Sequence, residues 1–389
     1  MSDKVTPLHP EKERRRKIRR RVLSLAGVLV LVLATVCIIL FHQELNLDRL
    51  RRYFTYLTVR DSGNYGEYAF EAHSSNACGA LEDGLAVASV AGLDLYGPSG
   101  EALGAVPNAV SAPALAVGSH LAMAWDVGGT VLSAASFKDG TVLDLDVGRP
   151  LLDADISGED QICYAMAADG YKTVLTVLNE RQRESYKWYS SSQYLPLCAI
   201  SDGGTLLAAV AVGQSGGAFE SQLLLLPTGQ EEAGPTAQLG NQLILDLEFV
   251  SPKRICAVGE SSLQFFDLEG APQGEYQYSD RYLKDFGLGG DGFVALSLNA
   301  YQAGSRYSVV TVDLNGEEIA DCYLGEEILS LSAAGNYVAV LTADHLRIFT
   351  SDLALYAETE DVMGASGALM REDGSALLTG SGSAHLYLP

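Results

Sequence analysis

The chain has 389 residues, 48 % hydrophobic and 19 % charged, with 40 glycines and 19 tyrosines. That composition excludes a disordered chain or a coiled coil and favours many short strands. With 26 basic against 49 acidic side chains, a net charge of −23, no nucleic acid is expected as a partner, because phosphate binding needs a basic surface.

The charge is unevenly spread. Residues 1–21 hold nine Lys or Arg and three acids and read as a basic cytoplasmic tail. Residues 22–41, VLSLAGVLVLVLATVCIILF, carry no charge. As a helix rising ~1.5 Å per residue, they reach across a hydrocarbon core of ~30 Å. The basic cluster before them predicts a cytoplasmic N-terminus and an extracytoplasmic body, that is, a single-pass protein of the cell membrane. A cleaved signal peptide has a shorter apolar core of ~7–15 residues and a small-residue exit site. Here the run ends in the bulky Ile38-Ile39-Leu40-Phe41, and Val36 before Cys37 does not fit a lipoprotein site. An uncleaved transmembrane signal anchor is therefore expected. Residues 42–65 follow as a juxtamembrane segment, with Leu45, Leu47, Leu50, Phe54 and Leu57 set against Arg49, Arg51 and Arg52. They read equally as an amphipathic helix at the lipid head groups or as a stalk. Residues 61–389 then carry 13 basic and 44 acidic groups.

From residue 66 the chain repeats weakly. Each unit has an apolar strand, a Gly/Asp turn, a very apolar strand and a closing hairpin. The very apolar strands are LAVASV (85–90), LAMAWD (121–126), ICYAMA (162–167) and LLAAVAV (206–212). RICAVGE (254–260), FVALSLN (293–299), YVAVLTA (337–343) and ALLTGS (376–381) complete eight. Asp267-Leu-Glu-Gly270 and Asp313-Leu-Asn-Gly316 are the clearest hairpin turns, with Gly supplying a positive φ. The last unit stops at Pro389 without a fourth strand, and Gly66–Ala72 upstream is a strand without a unit. The two fit each other if residues 66–389 form an all-β β-propeller closed by strand 66–72 in the last blade. Eight four-stranded blades of about 40 residues are expected. Seven longer blades are the alternative, and two β-sandwiches the structural rival.

A basic head, one span, an acidic repeat domain and units such as VVTVDLNGEEI (309–319) and YVAVLTADHLRIF (337–349) resemble a bacterial family of single-pass, membrane-anchored extracytoplasmic β-propellers. The resemblance implies a cell-envelope protein and no known activity.

Chemical motifs are few. Gly213-Gln-Ser-Gly-Gly217 fits the serine-hydrolase elbow, yet Ser215 falls in a hairpin rather than a strand-to-helix turn. Gly287-Leu-Gly-Gly-Asp-Gly292 fits a dinucleotide fingerprint, but a strand follows where a helix N-terminus is needed. No His has a neighbour at metal-ligand spacing. Among the cysteines, Cys78, Cys163, Cys198, Cys256 and Cys322 each lie in an apolar strand and read as buried free thiols. Cys163 and Cys198, in neighbouring units, are the one pair to check for a bridge. Aligned first strands bring Asp153, Asp246 and Asp285 to equivalent positions, with Asp155 and Glu248 nearby. They read as channel carboxylates open to Ca²⁺ or Mg²⁺, or as acceptors for backbone amides of the next blade. Tyr186, Trp188, Tyr189 and Tyr194, and then Tyr276, Tyr278 and Tyr282, form an aromatic binding surface or pack between blades.

These readings favour a non-enzymatic binding or scaffolding module with an envelope protein or wall polymer as partner, and no cofactor. A propeller-channel hydrolase or lyase, or a sensor of an envelope ligand, is the alternative.

Overall fold

The computed structural model describes residues 66–304, 306–362 and 364–389, and only the backbone of Ser215. The expected tail, anchor and juxtamembrane segment, residues 1–65, lie outside the described residues. Among the described residues no helix is long and apolar enough to cross a membrane.

All described elements are strands. After β1 (Glu67–Ala69), the first sheet holds β2 (Ala77–Leu81), β3 (Gly84–Ser89), β4 (Gly92–Tyr96) and β5 (Ala102–Pro107). The second holds β6 (Pro113–Val117), β7 (Ala122–Asp126), β8 (Val131–Ser136) and β9 (Gly140–Asp146). The third holds β10 (Leu151–Ile156), β11 (Ile162–Ala168), β12 (Tyr171–Leu178) and β13 (Glu184–Ser190). The fourth holds β14 (Tyr194–Ile200), β15 (Leu206–Ser215), β16 (Ala218–Pro227) and β17 (Thr236–Gly240). The fifth holds β18 (Ile244–Ser251), β19 (Arg254–Gly259), β20 (Ser262–Phe266) and β21 (Pro272–Gln277). Next comes an eight-stranded sheet. Its halves are β22 (Tyr282–Gly290), β23 (Phe293–Asn299), β24 (Tyr307–Asp313), β25 (Glu318–Leu324), and β26 (Ser330–Gly335), β27 (Tyr337–Leu341), β28 (Leu346–Thr350), β29 (Leu355–Thr359). The last sheet combines β30 (Gly367–Met370), β31 (Ala376–Thr379) and β32 (Ser383–Tyr387) with β1 at its edge.

Sequence pattern explains these strands. Second strands have sheets on both sides, so they read as unbroken apolar runs: every residue of β3 and of β23 is buried. Outer strands have one wet face and alternate, as in β25, EIADCYL. The predicted turns close by side-chain capping as well as by glycine. Asp313 Oδ1 accepts from the amides of Asn315 and Glu317, both at 2.9 Å, and Gly316 takes φ +80°.

The core is divided into eight apolar clusters, each shared by two successive four-strand groups. One of them joins Tyr68, Leu377 and Leu386 of the last sheet to Leu85, Val87 and Tyr96 of the first. First strands touch in the same order, β2 with β6 and onward to β26 with β30, and β30 touches β2. The array is therefore circular. Arg371 Nη2 donates to the Gly84 carbonyl at 2.7 Å across that closing junction.

Gly287, Gly289 and Gly290 explain why two groups fuse into one sheet. They lie within β22, where Gly289 and Gly290 pair in parallel with Ala334 and Gly335. A Cβ at Gly287 would stand 2.7 Å from the Ala333 nitrogen, and one at Gly289 2.5 Å from the Ala333 oxygen. The glycines of β22 thus serve close backbone approach between sheets.

Candidate functional site

Two features concentrate chemistry: carboxylates on the first strands and aromatic rings on one face of the ring. Asp153 and Asp155 are two residues apart on β10, so they share a face, as do Asp246 and Glu248 on β18. The aspartates accept from backbone amides. Asp153 Oδ2 accepts from the Cys198 amide at 2.8 Å and Asp155 Oδ2 from Ile200 at 2.9 Å, both on the next sheet's first strand. Asp285 repeats this with Leu331 at 2.7 Å, while Asp246 Oδ1 takes its own neighbour Leu247 at 2.8 Å. Where the next junction has serine instead, Ser330 and Ser332 accept from the amides of Ala368 and Met370. These side chains bracket neighbouring first strands, satisfying amides that lack a sheet partner.

The cost is electrostatic. Burial, then repulsion from Asp155 and Asp246, pushes Asp153 up to about 7 despite the amide it binds. Burial likewise pushes Asp155 up to about 6, with Asp246 and Asp202 adding repulsion. Glu248 rises well above the carboxylate range through burial and the charges of Asp155, Asp246, Asp153 and Asp202. Burial also raises Asp246 and Asp285. Asp153 thus senses the charge of Asp246, whereas Asp285 is held by its own and the next sheet's amides. Among the described residues no group of three or more His, Cys, Asp or Glu is arranged to hold a metal ion.

The predicted aromatic residues divide. Tyr276 and Tyr278 are core: Tyr278 is 1 % exposed and donates its hydroxyl to the Gly259 carbonyl, while Tyr276 donates to Glu318 at 2.7 Å. They pack between sheets because their position on and after the outer strand faces the next sheet's Val310 and Val312. Tyr186 and Trp188 lie partly buried against the cluster between the third and fourth sheets. They also line an outer cleft of about 490 Å³ with Thr228 and Gln230. Tyr189, Tyr194 and Tyr282 are exposed. Tyr189 stacks on Tyr171 with centroids 4.8 Å apart, and Lys172 Nζ lies 4.7 Å from the centre of the Tyr194 ring.

These exposed rings belong to a larger pattern that sequence reasoning missed. In an antiparallel group, the loops between second and third strands share a face with the loops between groups. Among the described residues, eleven of the fourteen exposed large hydrophobic side chains occupy that face: Val127, Tyr171, Tyr189, Tyr194, Phe219, Leu243, Leu245, Tyr282, Tyr301, Tyr323 and Leu329. Only Leu103, Ile319 and Leu355 start outer strands at the opposite face. That opposite face carries hairpin acids such as Glu231, Glu232, Asp267, Glu269, Glu317 and Glu318, and β1 starts there. The aromatic face was legible only in part, because its residues are scattered singly over loops from 127 to 329.

The tempting motifs fall elsewhere. Ser215 pairs with Ala218 at the tip of the β15–β16 hairpin. Imidazoles are dispersed: His120 Nδ1 is 3.0 Å from Asp160, His345 Nδ1 3.5 Å from Glu358, and His73 bonds Ser75.

Comparison with solved structures fits the circular array of four-stranded groups. The chain is similar to BamB from Moraxella catarrhalis, with TM-score 0.55 and 13 % identity, over 83 % of this chain and 98 % of that one. It is also similar to the Cps50 (Swd1) β-propeller domain of Myceliophteria thermophila, with TM-score 0.51 and 11 % identity, over 72 % and 97 %. The C-terminal WD40 domain of Sif2 aligns with TM-score 0.50 and 13 % identity, over 70 % and 80 %. At such identities the likeness shows the β-propeller fold alone. No curated protein matches the sequence. A family model does match, over residues 56–356, so the chain belongs to the DUF5711 family, a family of unknown function.

Proposed function

We propose that this protein is an eight-bladed β-propeller acting as a non-enzymatic binding or scaffolding module, with its partner protein on the tyrosine-rich face. The eight-stranded sheet counts as two blades, since the only strand pairing that joins its halves is the two-residue parallel match at Gly289 and Gly290. The observation that carries the reading is the one-sided distribution of exposed rings and aliphatic side chains. Apolar groups gathered on one rim and depleted from the other are what a protein-binding surface requires, with Tyr contributing contact area at low entropic cost. Three first-strand carboxylates, Asp153, Asp155 and Asp285, are spent on backbone amides of the next sheet, which supports this reading.

The module is held at the outer face of a bacterial membrane in this proposal. Support comes from the uncharged run 22–41 behind nine basic residues and from the family resemblance. The described chain begins at the acid-rich face, so the tyrosine-rich face stands at the far side of the ring from Gly66.

A photo-cross-linking residue placed at Tyr194 or Tyr301 of the full-length chain, in its own cells, tests the binding face. A discrete cross-linked protein at both positions, absent when the residue is placed at Leu355, is the expected result. Equal labelling at Leu355 would refute a one-sided surface.

A further inference from the structure

Cys163 lies on β11 and Cys198 on β14, so they face each other across the junction of the third and fourth sheets. Their Sγ atoms are 3.7 Å apart, and both thiols are free and buried, at 0 % and 2 % exposure. Around them lies an otherwise apolar cluster that includes Leu175, Val177 and Leu207. The other described cysteines, Cys78, Cys256 and Cys322, are also free. The two sulfurs are already at van der Waals contact and have to close to the ~2.05 Å of a disulfide.

We propose that Cys163 and Cys198 are a disulfide-forming site that straps the third sheet to the fourth, closed by exchange with a small disulfide oxidant. One cysteine thiolate attacks the oxidant, expels a small thiolate and becomes a mixed disulfide. The second cysteine attacks that mixed disulfide at the first cysteine's sulfur and expels the other small thiol. The chain loses two electrons and two protons, and one oxidant becomes two thiols.

The fold governs when this happens. Burial raises the Cys163 thiol, and the contact with Cys163, then burial, raises Cys198 well above its ordinary range. Asp153 and Asp155 add repulsion against either thiolate. Exchange needs a thiolate and an open path, so the folded reduced pair reacts slowly and closure belongs to folding, before the junction is sealed. The link would span 35 positions and restrain the unfolded chain accordingly. It would also clamp the junction whose connecting loop is flanked by Tyr189 at the end of β13 and Tyr194 at the start of β14.

The test uses the full-length chain, unfolded under reduction and refolded with oxidised glutathione, then alkylated and mapped by mass spectrometry. The expected product lacks two hydrogens, protects two thiols from alkylation and yields one cross-linked peptide containing residues 163 and 198. Cys256→Ser keeps that peptide, and Cys163→Ser loses it. A parallel incubation of the folded reduced chain should form the same peptide at least ten times more slowly. The linked chain should melt several degrees higher, and reductant applied under denaturation should abolish the difference. Full alkylation of both cysteines after refolding and after prolonged incubation of the folded chain would overturn the proposal. So would a link from either to another cysteine, or formation equally fast in the folded chain.

Discussion

Glu248 is the carboxylate with least compensation on the first strands. It faces four other acids, Asp155, Asp246, Asp153 and Asp202, and each of them raises it. A folded pKa above the unfolded value means that the group favours folding below the unfolded pKa of about 4.3. That contribution is lost as pH rises through the folded value. Asp153 and Asp155, raised to about 7 and about 6, extend the decline across the same range. Stability should therefore fall from about pH 4 to neutrality, where most acidic domains gain. Glu248→Gln removes the charge and keeps the shape. It should leave stability unchanged near pH 4 and raise it at pH 8, where the wild-type carboxylate is charged among like charges. Urea denaturation at both pH values reads the difference. A loss of stability at pH 8 would show that Glu248 has a partner that needs its charge.

At the scale of elements, two strands make contrasting demands. β22 reaches β26 only because Gly287 and Gly289 leave room for the Ala333 backbone. Gly289→Ala should cost about 1–3 kcal/mol by forcing the strands apart. Gly104→Ala on β5, where a Cβ meets nothing within 4 Å, should be neutral or slightly stabilising. β1 is three residues long and pairs with β32 through Glu67, Tyr68 and Ala69. Its hold comes from Tyr68, 1 % exposed within the cluster between last and first sheets. Tyr68→Ala should cost roughly 3 kcal/mol, seen as a lower denaturation midpoint, and should speed proteolysis near Tyr387 as the β32 edge opens. An unchanged midpoint would mean that the ring holds without its short edge strand.

For the whole molecule, the faces are chemically distinct, and the proposed roles follow from that. Tyr189→Ser with Tyr194→Ser alters exposed rings and should leave the melting temperature within about 1 °C, because surface changes sit within about 0.5 kcal/mol. The same double variant should lose the cross-link formed at Tyr301, if one partner spans the face. Retention of that cross-link would show that the contact at Tyr301 does not depend on Tyr189 and Tyr194. The proposed topology has its own measurement: protease added outside intact cells should remove the acidic domain and spare a fragment of residues 1–41. A mature N-terminus near residue 43 would instead mark a cleaved leader.

Much of the fold was legible from local pattern. The eight very apolar segments from LAVASV to ALLTGS are second strands, because a strand covered on both sides is mostly apolar on both faces. The turns at Gly270 and Gly316 were equally plain, since few residues but glycine take φ near +80° cheaply. The unfinished last unit and the strand before the first one were legible as complementary, and β1 does pair with β32. Tertiary structure decided what these local signals could not carry. Whether a tyrosine is core or surface depends on the neighbouring sheet: Tyr278 meets one and is buried, whereas Tyr282, four residues on, begins a first strand at the open rim. Whether an aspartate attracts a cation or holds an amide depends on the strand 45 residues away, as for Asp153 and Cys198. The one-sided apolar face and the 3.7 Å thiol contact arise because circular packing brings single residues from distant units together. No window of sequence contains that proximity, so composition and periodicity set the strands while the closing of the ring set the surfaces.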